Sequence, residues 1–350
     1  MIFMNRPIWL DLTLDIAISR QVSGQKLAEI AGALTALGIR RVVVDCNAHQ
    51  RCAEPDGLKN HIQRYGLIDL AEDLLLNAEQ DNLKKVILVC AFPAQANMVE
   101  IETAIRETDK YADQVTLVLE GVEGMSPAEL AGMLPVIKGW PVQAVIYRDK
   151  QGRENPFSLF DKISRLKNGL VCPVGIWAGN AFGLATANTL AAMKAGATWI
   201  MTAVGGMGGY APWEEVLMAA RQFLGIDSKL PDKLALGCQQ LLGLLAWTVP
   251  ANKAIIGPAI FAHESGLHVD GVTKDPEIYE PFVPEMVGLT RQLVVGKHSG
   301  TAALKTKFAA WGICLKEEES KRLLAGVRSM AVRKRTAISD AELKNLYLSG

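Results

Sequence analysis

Short apolar, β-branched runs recur along the chain, separated by stretches with helical amphipathic spacing. Seven of them read as strands: 7–14 (PIWLDLTL), 40–46 (RRVVVDC), 84–92 (KKVILVCAF), 114–121 (QVTLVLEG), 142–149 (VQAVIYRD), 172–178 (CPVGIWA) and 197–204 (ATWIMTAV). Between them lie helical patterns such as 24–38 and 126–139. Strands that are apolar on both faces and joined by helices imply a parallel sheet. Eight such units close a TIM barrel in about 250 residues. The interval from Cys46 to Lys84 is wide enough to hold an eighth strand. The fold class is therefore α/β: a TIM (β/α)8-type barrel, complete or eroded by one strand. A doubly wound open sheet is the alternative, but no dinucleotide fingerprint follows the first strand. The glycine cluster at 204–212 does not match G-x-G-x-x-G and reads as a flexible loop after the last strand.

After about residue 226 the texture changes. A helical pattern at 232–248 leads into a segment, 249–308, rich in Pro, Gly and polar residues. Two charged helices close the chain at 316–335 and 339–349, the second opening on Ser339 with Glu342 three residues on, a capping box. The short basic run VRKR reads as a solvated helix end. The expected organisation is a barrel over 1–226, a small α/β lid or linker subdomain over 227–300, and a helical subdomain over 301–350.

Charge narrows the partners. With 37 basic and 37 acidic residues the chain has no net charge, so neither nucleic acid nor an anionic membrane surface is indicated. No run reaches the roughly 18 apolar residues of a membrane span, and the start lacks a signal-peptide pattern. A cytoplasmic protein is expected. The six cysteines form no C-x-x-C pair and read as reduced thiols. Histidine is scarce: His49, His61, His263, His268 and His298, with none from 62 through 262.

Two segments carry a resemblance. FGLATANTLAAMKAGATWIMTAV (182–204) and the block FAHESGLHVDGVTKDPEIYEPFVPEMVG … VVGKHSG (261–300) resemble the homocitrate synthases of nitrogen fixation, within the wider isopropylmalate and citramalate synthase family. The resemblance implies a barrel with a divalent metal at the C-terminal ends of its strands. It implies a Claisen-type condensation of acetyl-CoA with a 2-oxo acid, the metal polarising the oxo acid and a base deprotonating the acetyl methyl.

The family's metal motifs have decayed here. The first-strand pattern D-x-T-L-R-D-G-x-Q becomes Asp11, Leu12, Thr13, Leu14, Asp15, Ile16, Ala17, with Asp15 for the arginine and Ile16 for the metal-binding aspartate. The seventh-strand pattern H-x-H-N-D-x-G becomes Trp177, Ala178, Gly179, Asn180, Ala181, Phe182, Gly183, losing both histidine ligands. A-D-T-x-G becomes Arg148, Asp149, Lys150, Gln151, Gly152; the G-E-R-A-G-N loop shrinks to 208–212; a second-strand glutamate becomes Val43. Hard cations want oxygen ligands, which isoleucine and tryptophan lack. No metal is expected on this chain, and His49 and His61 are the only histidines left to reach the barrel mouth.

The lid block kept its chemistry. The resemblance implies that it crosses to a neighbouring subunit, where the histidine of S-G-x-H and a later tyrosine act on the partner's substrates. The matching residues are His268 and Tyr279, with Glu264, Ser265 and Asp270 around His268 to set its tautomer. His298, in GKHSG, reads as part of the turn into a helix at 301–311. Asp11, Asn180 and Glu264 are the substrate-binding candidates.

Three readings follow. The first is a subunit, like the omega subunit of a split homocitrate synthase, that lacks the metal and donates His268 and Tyr279 in trans. Its partner is a catalytic synthase subunit carrying Mg or Mn, or a second copy in a homodimer; its substrates are acetyl-CoA and a 2-oxo acid. The second is a lone lyase or transferase with metal-free chemistry at Asp11, Asp15, Glu120, Asp149 and Lys150, in which a Lys150–Asp15 pair supports a Schiff base. The third is a binding or regulatory module for a small acid or a synthase.

Overall fold

In a computed structural model, which describes residues 6–46, 62–70, 83–92, 98–264, 278 and 280–349, eight parallel strands close into a barrel in simple sequential order. They are β1 Ile8–Asp11, β2 Arg41–Asp45, β3 Gln63–Asp69, β4 Lys85–Ala91, β5 Gln114–Glu120, β6 Ala144–Asp149, β7 Val174–Ala178 and β8 Trp199–Thr202. β8 pairs back onto β1 from Ile8↔Trp199 to Asp11↔Thr202. No strand has been lost: β3 fills the wide interval. Its sequence, QRYGLID, mixes charge, glycine and aromatic positions, so it lacks the continuous apolar run of its neighbours.

The pleat sorts strand residues to two sides. Val86, Leu88, Leu117, Leu119, Val145, Tyr147, Val174, Ile176 and Ile200 share one buried cluster with Ile105, Leu130, Leu159 and Ile163 of the surrounding helices. The alternate positions, among them Ile87, Val118, Ile146, Trp177, Trp199 and Met201, are buried as well and fill the lumen. Across that lumen the rings of Tyr65 on β3 and Trp199 on β8 meet edge to face at 6.0 Å.

Two elements differ from expectation. The first strand stops at Asp11 rather than 14, and Thr13–Ser19 is helical. The Thr13 N–H donates to Asp11 Oδ1 at 2.8 Å, a local turn that takes the chain out of the sheet. The glycine cluster after β8 is tied down: Val204 N–H donates to Thr13 Oγ1 and Gly205 N–H to Glu214 Oε2, both at 2.9 Å.

The chain divides into two compact units, one of residues 1–231 with 237–249, the other of 232–236 with 250–350. The second unit pairs the short strands β9 (Ala262–His263) and β10 (Gln292–Leu293) in parallel. Its helices Thr301–Ala309, Glu317–Lys334 and Asp340–Leu348 enclose Val295, Leu304, Phe308, Val327 and Leu343. Phe308 contacts the rings of Trp311 and Tyr347, each at 5.0 Å. The Ser339–Glu342 capping box forms as expected. Among the described residues no helix is long and apolar enough to cross a membrane.

Candidate functional site

The C-terminal ends of the strands carry the charged side chains of the barrel. At the end of β1, Asp11 is fully buried. One of its carboxylate oxygens holds the Thr13 N–H, and the other has no hydrogen-bond partner among the described residues. Burial pushes its carboxyl up to about 7, against the pull of the Thr13 hydrogen bonds. Asp15 accepts the Asp45 N–H at 2.8 Å, and burial pushes it up to about 6. Asp11 thus shapes the turn into the helix Thr13–Ser19, and Asp15 ties that helix to the end of β2.

A folded-state pKa raised above the unfolded value means that the folded chain holds a proton the unfolded chain has released. Stability from Asp11 is therefore present below about pH 4 and lost as pH rises toward 7. Asp11→Asn keeps the acceptor for Thr13 and removes the charge. It is expected to be more stable than the wild type at pH 8 by on the order of 2 kcal/mol, with the gap closing toward pH 4. Urea unfolding at both pH values checks this; a gap that does not change with pH refutes it.

On the opposite side of the mouth, Glu120 at the end of β5 accepts Arg148 Nη1 and Lys150 Nζ, each at 2.6 Å. Strand register sets Arg148 beside Trp177. The guanidinium carbon lies 3.7 Å from the centre of an indole ring, a cation–π stack. Tyr210, from the turn after β8, closes on Trp177 at 5.5 Å. Lys150 is thus held by Glu120, and Asp15 by the Asp45 N–H; the Lys150–Asp15 pair considered from the sequence is not formed.

Asp149 points into its own turn, where its oxygens accept the N–H groups of Arg153 and Glu154 at 3.0 and 3.2 Å; burial raises its pKa. Asn180 accepts the Ala185 N–H at 3.0 Å and so starts the helix Ala185–Lys194.

The residues at the mouth do not fit a divalent metal. Ile16 and Trp177 offer no ligand atom. At Gly179 the obstacle is space: an added Cβ would lie 2.6 Å from the Asp149 carbonyl oxygen and 2.9 Å from the Gly152 nitrogen. The turn after β6 has closed against the end of β7, and any side chain at 179 collides with backbone. Among the described residues no three His, Cys, Asp or Glu converge to hold an ion. His49 and His61 lie outside the described residues.

In the second unit the Glu264 carboxylate accepts the His298 N–H at 2.6 Å, and its carbonyl accepts the Ser299 hydroxyl at 3.0 Å. A Cβ at Gly296 would meet the Glu264 carboxylate at 2.7 Å, so the turn backbone runs directly beside that carboxylate. Glu264 and the GKHSG turn are thereby tied to each other beside a cavity of about 350 Å³ lined in part by Glu264, Lys297, His298 and Arg335. Glu280 is clamped by Arg291 at 3.0 and 2.6 Å. His268 and Tyr279 lie outside the described residues. Sequence reasoning missed the Arg148–Trp177 stack and the buried Tyr147–Glu154–Lys162 cluster behind β6. Nothing in the local pattern marks either, since each joins different elements.

Comparison with known proteins places this geometry. Residues 89–235 match the HMGL-like family and 255–335 the homocitrate synthase post-HMGL domain-like family. Homocitrate synthase 1 of Nostoc sp. is 39% identical over 241 residues, 67% of this chain and 64% of that protein. 2-Isopropylmalate synthase 2 of Caldanaerobacter subterraneus is 42% identical over 57% of this chain and 53% of its own length. The chain therefore spans about half to two thirds of these relatives. The HMG-CoA lyase of Bacillus subtilis shares the barrel fold, with a TM-score of 0.59 at 14% identity over 70% of this chain and 95% of that one. (R)-citramalate synthase of Methanocaldococcus jannaschii is 30% identical over 94% of this chain and 68% of its own length. With that similarity running almost end to end, the chain belongs to the homocitrate, isopropylmalate and citramalate synthase family.

Proposed function

We propose that this chain is a non-catalytic subunit of a homocitrate synthase, omega-like in character, that serves condensation of acetyl-CoA with 2-oxoglutarate for nitrogenase cofactor synthesis. The observation that carries the reading is the closed mouth at Gly179, Trp177 and Arg148, set against a lid block whose motif residues remain intact. In this reading a catalytic synthase subunit supplies the barrel and its Mg or Mn. This chain supplies His268 and Tyr279 across the subunit interface. Their task is proton transfer and positioning. A proton leaves the acetyl methyl, the carbon attacks the keto carbon, and water then cleaves the thioester to give homocitrate and free CoA. The Glu264–His298–Ser299 lock anchors the root of the donated segment.

The test is homocitrate formation with Mg²⁺ or Mn²⁺ by this chain alone, by a metal-competent synthase subunit from the same source, and by the mixture. The expected result is no turnover alone and the highest rate in the mixture. His268→Ala in this chain lowers the mixture's rate by roughly 100-fold or more, in line with loss of a general acid or base. Turnover by this chain alone, or a mixture indifferent to His268→Ala, overturns the reading.

A further inference from the structure

We infer that the cavity in the second unit binds a small phosphate monoester, its phosphate held by Lys297, His298 and Arg335 and its organic part laid on an apolar wall. The inference goes beyond the partner-subunit reading and does not depend on it, since every residue it uses lies within one unit.

The GKHSG turn is the first argument. Gly296 N–H donates to Ser299 Oγ at 2.9 Å, and His298 N–H to Glu264 Oε1 at 2.6 Å. The Ser299 hydroxyl donates to the Glu264 carbonyl at 3.0 Å, and the Ser299 carbonyl accepts Arg328 Nη2 at 2.8 Å. Ser299 is fully buried, whereas Lys297 and His298 are exposed. The hydrogen bonds thus fix a turn whose exposed side chains are both basic. Donors held in place before a ligand arrives lose little entropy on binding it.

Charge is the second. Lys305, Lys307, Lys321 and Lys334 of the neighbouring helices each pair with a carboxylate. Lys297 and Arg335 line the cavity and pair with none among the described residues. Glu264, the carboxylate on the same wall, is committed to the His298 N–H. Arg335 follows the helix Glu317–Lys334 with φ +57°, a left-handed position where helices usually end on glycine. The backbone there disfavours any side chain, so local conformation gives no reason for the guanidinium.

The ligand class follows from the donors and the walls. A volume of about 350 Å³ suits a small molecule, and Ala331 and Val332 add apolar lining. A guanidinium fork, an ammonium and an imidazole, brought from two separate segments, match the several oxygens of a phosphate. A phosphate monoester carries roughly −1.5 to −2 charges at pH 7. It satisfies both free cations and outweighs repulsion from Glu264. A carboxylate brings one charge and two oxygens to the same donors.

Isothermal titration of the intact chain tests this, with phenyl phosphate, inorganic phosphate and benzoate as separate probes. The expected result is saturable binding of phenyl phosphate in the range of about 10 µM to 1 mM. It is about tenfold tighter than benzoate, and severalfold tighter than inorganic phosphate, which leaves the apolar wall bare. Lys297→Met weakens phenyl phosphate by about tenfold. Arg335→Gly removes the guanidinium and relieves the left-handed backbone. It weakens binding by about tenfold while the melting temperature holds or rises, which a merely structural arginine would not do. Lys321→Met removes the same charge outside the cavity and leaves binding unchanged. Absence of saturable phenyl phosphate binding overturns the inference. So does benzoate or inorganic phosphate binding as tightly as phenyl phosphate. Binding untouched by both Lys297→Met and Arg335→Gly, or weakened as much by Lys321→Met as by Lys297→Met, overturns it too.

Discussion

Glu154→Ala is expected to lower the free energy of unfolding by about 3–5 kcal/mol, because it strands a buried ammonium. Glu154 is 5% exposed, and its side chain is the hub of a closed polar cluster behind β6. Its Oε1 accepts the Tyr147 hydroxyl at 2.6 Å and Lys162 Nζ, and its Oε2 accepts the Ser158 hydroxyl at 2.6 Å. Lys162 has one other strong acceptor, the Glu123 carbonyl at 2.7 Å. With the carboxylate removed, the lysine keeps its charge, or gives up its proton, in surroundings where its side chain is 7% exposed. Tyr147 then loses the acceptor that, with burial, raises its own pKa. Removing both charges together is a different experiment. Glu154→Leu with Lys162→Met is expected to recover most of the loss, since replacing a buried pair by apolar side chains of similar volume is often neutral. Urea unfolding at pH 7 measures all three proteins. A loss below about 1 kcal/mol for Glu154→Ala would show that the lysine reaches water or another acceptor.

Gly179→Ala carries the second large effect, about 3 kcal/mol of stability, through overpacking against backbone rather than through backbone strain. The three nearest atoms to the added carbon, at 2.6, 2.9 and 3.1 Å, are main-chain atoms of Asp149 and Gly152, which cannot swing away as a side chain can. The Asp149 carbonyl also accepts the Gly179 N–H at 2.9 Å, so moving the strands apart breaks that bond. Gly183→Ala is the contrast. Gly183 has φ +72° but open space around it, and the left-handed conformation alone costs about 1–2 kcal/mol. Equal losses at the two positions would mean that the turn after β6 yields readily. The same crowding predicts that histidine at 179 will not rebuild an ion site, even with Ile16→Asp and Trp177→His beside it.

Much of the barrel was legible along the chain because each βα unit carries its own signal. Continuous apolar runs mark β4 and β5, helical spacing marks Gly24–Ala36 and Pro127–Ile137, and Ser339 with Glu342 marks the last helix. β3 escaped because its sequence mixes charge, glycine and aromatic positions with no β-branched run; only pairing with β2 and β4 makes it a strand. The departures from the family's motifs that the resemblance implies, Ile16 and Trp177 among them, were equally plain, since the identity of a residue decides whether it has a ligand atom to offer. Their consequence was not. Whether the space around Gly179 stays open or closes depends on what its neighbours do.

The sequence by itself determined the class of fold, the position of most elements, and the lack of ligand atoms at Ile16 and Trp177. These rest on local periodicity and on residue type, which need no third dimension. Only the tertiary structure decided that Arg148 stacks on Trp177, that Glu154 and Lys162 share a buried pocket behind β6, that Glu264 locks the GKHSG turn, and that the backbone beside Gly179 leaves no room for a side chain. Each of these joins residues from different elements, brought together by closure of the barrel or by packing of the second unit. Distances of that kind are set by the sum of all the packing, and no stretch of sequence contains them.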